Sequence, residues 1–167
     1  MPYLIAELNQ MSQEAFVKAL GAVFEDTPAI AYQVWNQRPF ADVAELHQRM
    51  VDLVKAMSRE QQLALIQAHP DLGSRVKMAE ASVKEQAGAG LAQLSREEYD
   101  HFQSLNHAYK DKFGFPFIVA VKNHTKGSIL DSFERRLENP VEAEMQQALT
   151  EIAQIAHFRL VELVKDF

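Results

Sequence analysis

Apolar residues recur along this chain at spacings of three and four, the repeat of a helix buried on one face. Phe16, Ala19, Leu20 and Val23 share such a face behind Ser12, which suits a helix N-cap, and Met11 is placed to pack on Phe16 across the entry. This helix is expected to end by Asp26. Pro28 suits the opening of a short helix over Ala29 to Trp35, because the first turn needs no N–H there, and Arg38-Pro39-Phe40 reads as a turn. Asp42 and Glu45 form a capping box before the stripe Val43, Leu46, Met50, Leu53, Val54 and Met57, in which methionine serves as core filler. Ser58 and Gln61 form another before Leu63, Leu65, Ile66 and Ala68.

The second half continues in the same period. Residues from about Lys77 to Gln86 read as a helix running into Ala87-Gly88-Ala89-Gly90, a small-residue stretch that is costly to hold helical and lets backbone approach a ligand or another helix. Ser95 and Glu98 cap a helix carrying Tyr99, Phe102, Leu105, Tyr109 and Phe113; Lys126 to Leu137 forms another, closed by Asn139-Pro140; a final long helix runs from about Val141 to Val164. The exception is Gly114-Phe115-Pro116-Phe117-Ile118-Val119-Ala120-Val121, a strand-like run with proline near its start. One such run cannot make a sheet. Buried in a helical protein, its N–H and C=O groups must be met by side chains, water or a ligand, which places it in a binding pocket. The expected architecture is all-α: a single-domain compact helical bundle over residues 1–167, with one short extended segment near residues 115–121.

Composition narrows the chemistry. The 167 residues suffice for one ordinary domain that buries roughly 70% of its unfolded surface. There is no cysteine, which removes disulfides, thiolate catalysis and Cys-based metal sites. The histidines, His47, His69, His101, His107, His124 and His157, include no His-Glu-x-x-His arrangement, so no metal site is expected. A net charge of −6 without a basic run gives nucleic acid no electrostatic basis. The amino end carries no positive region before its short apolar stretch, nowhere do 18 apolar residues run together, and the carboxyl end is no peroxisomal or retention address; a soluble cytoplasmic protein without membrane partners is expected.

Three features stand out as candidate chemistry. His69 sits where Pro70 stops a helical pattern, in Ala68-His69-Pro70-Asp71-Leu72-Gly73, and its side chain takes up and releases protons near neutral pH; alternatively it is a cap favouring the negative helix end. Ser82, Glu85 and Gln86 share one helical face, whose commoner fate is to be solvated beside Lys84. Arg159 lies on or beside the apolar stripe of the last helix, seven residues after Ile152 and four before Leu163, and must either snorkel or meet an acceptor.

Five blocks in order, Ala-His-Pro-Asp-Leu-Gly at 68–73, Ser-x-x-Glu-Gln followed by Ala-Gly-Ala-Gly-Leu at 82–91, Lys-Phe-Gly-Phe-Pro-Phe-Ile-Val at 112–119, Arg136-Leu137-Glu138-Asn139, and Glu151-Ile152-Ala153-x-Ile155-Ala156-x-x-Arg159-Leu160, resemble the OHCU (2-oxo-4-hydroxy-4-carboxy-5-ureidoimidazoline) decarboxylase family over nearly the whole chain. The resemblance implies an all-helical enzyme of urate catabolism that forms (S)-allantoin and carbon dioxide, needs no cofactor and commonly forms homodimers. It implies His69 and Glu85 as the catalytic pair, and substrate contacts from Pro70, Ser82, Gln86, Arg159 and the backbone of Phe117, Ile118 and Val119. A ring C=N beside the carboxylated carbon would accept the electrons left by carbon dioxide, so the proton transfers remain for the protein. Arg159 would grip the ring carbonyl or ureido oxygen, because a tight pair with the leaving carboxylate would stabilise the ground state. Two rivals are a non-catalytic helical module binding a ureide-like ligand, and a ureide hydrolase in which Glu85 activates water, a reaction class that usually needs a metal.

Overall fold

Helix starts follow the capping signals. The Ser12 hydroxyl accepts the Ala15 N–H at 3.1 Å, and Ser58 with Gln61 and Ser95 with Glu98 exchange side-chain and backbone bonds at 2.9 to 3.1 Å. At Asp42 the expected box is reduced to a single cap. Its carboxylate accepts the Glu45 N–H at 2.8 Å, but the Glu45 carboxylate turns to Arg49, 3.9 Å away, and the Val43 N–H is met by Asp166 at 2.7 Å.

The structure, a computed structural model, describes residues 2–73 and 80–166, apart from the side chains of residues 80 and 81. Among the described residues the helices are α1 (Ile5–Gln10), α2 (Gln13–Leu20), α3 (Ala29–Val34), α4 (Val43–Ala56), α5 (Arg59–Gln67), α6 (Glu80–Gly88), α7 (Arg96–Phe113), α8 (Lys126–Arg136) and α9 (Val141–Leu163), and the fold is all-α as the periodicity predicts. The expected start of α6 near Lys77 lies outside the described residues. α2 ends at Leu20, within the expected limit of Asp26, and Val23 and Phe24 are buried in the turn that follows. Two-residue strands, β1 (Tyr3–Leu4) and β2 (Val164–Lys165), pair in parallel, Tyr3 opposite Val164. Neither run has the length or alternation of a strand signal. No helix among the described residues is long and apolar enough to cross a membrane.

The contacts gather into two units, residues 1–65 with 153–167, and residues 66–152, whose boundaries fall inside α5 and α9. In the first, α3 packs on α2 and α4, and Leu8, Phe16, Leu20, Val34, Leu46 and Met50 are fully buried. In the second, Tyr109 is the centre of an aromatic cluster, with ring centroids 4.4 Å from Phe113, 5.9 Å from Phe115, 5.4 Å from Phe117 and 6.0 Å from Phe133. The run 115–121 forms no strand, and each of its residues is buried.

Candidate active site

The chain leaves α5 at Gln67 and turns sharply through His69 to Gly73. Gly73 has φ of +67°, the left-handed region that favours glycine, and a Cβ there would meet Leu94 Cδ1 at 2.8 Å. Four side chains hold this turn. Gln86 on α6 accepts the Gly73 N–H at 3.0 Å and donates to the Asp71 carbonyl at 3.3 Å. From α7, Asn106 donates to the Leu72 carbonyl at 2.9 Å, Gln103 to the Gly73 carbonyl at 3.5 Å, and Lys110 pairs with the Asp71 carboxylate at 2.9 Å. The ring of His69 is thereby carried on a clamped backbone. His69 is buried and lines a cavity of about 280 Å³ together with Gln67, Lys110, Gly114, Phe115 and Pro116, a volume suited to a small molecule. Gly73→Ala is expected to cost about 1–3 kcal/mol from left-handed strain, lowering the Tm by several degrees. Thermal unfolding checks this; an unchanged Tm would show that the turn relaxes freely.

The face of α6 divides cleanly. Ser82 and Gln86 are buried and Glu85 is half-buried, whereas Val83 and Lys84 point outward, so the solvated face beside Lys84 excludes the candidate residues. Both ends of the Gln86 amide are thus engaged on the His69 turn, and one N–H and one lone pair of the amide have no partner among the described residues. α6 also packs against the turn Val121–Asn123. The His69 turn, α6 and the end of the extended segment therefore come together in the second unit. Of the residues named for catalysis or substrate contact, His69 lines this cavity, whereas Glu85, Pro70, Ser82, Gln86, Phe117 to Val119 and Arg159 are not in its lining.

The extended segment is held by buried side chains, as its backbone chemistry requires. Arg136 donates to the Ile118 carbonyl at 2.7 Å, and Glu151 accepts the Ala120 N–H at 3.0 Å. Among the described residues the N–H groups of Phe117, Ile118 and Val119 have no acceptor. Arg136 is itself fixed by Glu144 at 2.8 Å, and the same carboxylate accepts the Tyr109 hydroxyl at 2.6 Å and the Asn139 amide at 2.8 Å. Burial and the adjacent Glu144 push the Tyr109 hydroxyl well above its ordinary pKa, keeping it a neutral donor.

Arg159 lies in the first unit and does not snorkel. It is 5% exposed, its Nη2 pairs with Glu25 at 3.0 Å, and its Nη1 donates to the Ala22 carbonyl at 3.2 Å. Glu25 carried no sequence signal, since it stands in an irregular turn. Asn106, Glu144 and Glu151 did carry one: each is a polar residue at helical spacing within an apolar stripe, Asn106 between Phe102 and Tyr109, and the two glutamates seven apart around Ala148. Among the described residues no group of three His, Asp or Glu side chains is placed to hold a metal ion.

A buried imidazole on the wall of a small-molecule-sized cavity is a group suited to proton transfer. Comparison with known proteins agrees. The model of the OHCU decarboxylase family matches residues 9–161. A 2-oxo-4-hydroxy-4-carboxy-5-ureidoimidazoline decarboxylase from Halalkalicoccus jeotgali is 45% identical over 95% of this chain and 90% of its own length. The uric acid degradation bifunctional protein PucL of Bacillus subtilis is 44% identical over 98% of this chain, which spans 33% of that longer protein. Among solved structures, a crystal structure of (S)-allantoin synthase superimposes with a TM-score of 0.79 at 28% identity, covering 96% of this chain and 54% of that one. With a family model matched over nearly its whole length and relatives of this identity, the chain belongs to the OHCU decarboxylase family.

Proposed function

We propose that this protein decarboxylates 2-oxo-4-hydroxy-4-carboxy-5-ureidoimidazoline to (S)-allantoin in urate degradation, without a cofactor. The carrying observation is His69, buried on a cavity wall and set on a turn clamped by Gln86 and Asn106, within a chain of the OHCU decarboxylase family. In the reaction the C–C bond to the carboxylate breaks and carbon dioxide leaves. The bonding pair passes into the adjacent ring C=N, whose nitrogen takes a proton. The hydroxyl then loses its proton as its oxygen becomes a ketone, and the neighbouring carbon gains one on a single face. The net change is loss of carbon dioxide and uptake of one proton by the substrate anion.

His69 is the principal acid or base near the substrate hydroxyl and carboxylate, with Pro70 beside it, and Glu85 orients the imidazole or moves the second proton. Ser82 and the remaining N–H of Gln86 meet the ureido and ring amides. The N–H groups of Phe117, Ile118 and Val119, which have no acceptor among the described residues, are donors suited to the carbonyl edge of a planar ring. Arg159, which the resemblance assigns to a carbonyl or ureido oxygen, is engaged in this structure by the Ala22 and Val23 carbonyls on Nη1 and by Glu25 on Nη2. A homodimer and a cytoplasmic location belong to the same proposal.

Carbon dioxide release and optical activity, followed on freshly generated substrate with and without chelator, test the proposal. Carbon dioxide above the spontaneous rate, one allantoin enantiomer and indifference to chelator are expected. Chelator-sensitive ureide cleavage without carbon dioxide would identify a hydrolase, and binding without turnover a non-catalytic module.

A further inference from the structure

One sequence block, Arg136-Leu137-Glu138-Asn139, has no part in the chemistry so far, yet two of its residues end in a buried polar network of the second unit. The Glu144 carboxylate, fully buried, collects three donors: Tyr109 and Arg136 on Oε1 and Asn139 on Oε2. Such a carboxylate is costly to bury and strongly directional once satisfied. Its effect is to set the plane of the Arg136 guanidinium. Nε is spent on Glu144, Nη1 reaches the Ile118 carbonyl at 2.7 Å, and the guanidinium carbon lies 4.3 Å from the centroid of the Phe117 ring. Phe133 stacks on the same ring at 3.9 Å and 12°. One cation thus holds both the side chain of Phe117 and the carbonyl of Ile118, within the three residues whose N–H groups have no acceptor among the described residues.

A stretch with no strand neighbour has no ladder to fix its peptide planes. Each plane turns unless something grips it, and the Ile118 carbonyl lies in one peptide plane with the Val119 N–H, so the bond from Arg136 sets the direction of that donor. We infer that Arg136, oriented by Glu144 and Asn139, is a positioning residue for substrate recognition: it locks the peptide plane between Ile118 and Val119, with the Phe117 ring held against its guanidinium, so that the Val119 N–H is presented to the carbonyl edge of the bound ring. The inference rests on the proposal that this backbone contacts the substrate. Lysine in its place keeps the charge but cannot reach Glu144 and the Ile118 carbonyl in one plane while lying flat on Phe117.

The test uses the full chain and two readouts, steady-state kinetics and calorimetric binding of (S)-allantoin, the proposed product. Arg136→Lys is expected to raise KM about tenfold and weaken allantoin binding by a similar factor, with kcat changing far less, the mark of lost ligand binding. Asn139→Ala removes one half-buried bond to Glu144 and is expected to shift KM and allantoin affinity in the same direction by about threefold; it keeps the test open if Arg136→Lys does not fold. Ser95→Ala, which removes the α7 cap, is the control for destabilisation alone and should lower Tm while leaving KM unchanged. Wild-type KM and allantoin affinity in folded Asn139→Ala and Arg136→Lys would overturn the inference, as would an equal KM shift in Ser95→Ala. His69→Ala, assayed alongside, separates the two levels. If it keeps full turnover, the site assignment itself has failed; if it loses turnover while Arg136→Lys and Asn139→Ala bind normally, only the positioning role is wrong.

Discussion

Replacing His69 by alanine or asparagine is expected to leave a folded protein whose turnover falls by about 10²- to 10⁴-fold, the range of a positioned acid or base. The expectation follows from placement. The imidazole is buried on the cavity wall, and the turn beneath it is bonded at Asp71, Leu72 and Gly73 by residues of α6 and α7, so the backbone stays in place when the ring is removed. Allantoin binding should weaken much less than turnover, because the donors of 117–119 are untouched. Glu85→Gln, a near-isosteric change on the half-buried part of α6, should likewise lower kcat more than it raises KM. Initial rates of enantiospecific allantoin formation above the spontaneous reaction, with product affinity measured separately, decide both. Wild-type rates in His69→Ala would remove the histidine from the chemistry.

The second large effect concerns the Arg159–Glu25 pair. Both side chains are almost wholly buried, so Glu25→Ala strands a guanidinium in the interior and should cost about 3–5 kcal/mol, lowering Tm by roughly 10 °C. Arg159→Lys keeps the charge and a partner in Glu25 but loses the planar fork, and is expected to raise KM at least as much as it lowers kcat. Thermal unfolding and saturation kinetics on the two variants separate structure from ligand grip. An unchanged KM in Arg159→Lys would confine Arg159 to the ion pair.

Much of the local structure was legible because its causes are local. Ser12, Ser58 and Ser95 lie next to the N–H groups they satisfy, and an apolar stripe at helical spacing needs no knowledge of what it will pack on. Asp42 shows the limit: its reciprocal glutamate was drawn to Arg49, and the Val43 N–H was taken by Asp166, 123 residues away. The strand-like run at 115–121 was legible as a segment in need of partners. That those partners are Arg136 and Glu151 was not, although Glu144, Glu151 and Asn106 were visible as polar residues inside apolar stripes.

By itself, then, the sequence determined the helical class, most helix starts, the break at His69 and Pro70 and the residue types offered for proton transfer, since spacing, capping and side-chain pKa act over a few residues. Only the tertiary structure decided what those groups meet. It seated His69 on a cavity, turned Ser82 and Gln86 inward and Lys84 outward, and gave Gln86 the His69 turn to hold. It matched Arg159 with Glu25, and closed β1 on β2 across 160 residues of chain. The physical reason is that a buried donor, acceptor or charge must find a partner wherever the fold brings one within about 3 Å, and sequence spacing carries no measure of that distance once the chain has turned back on itself.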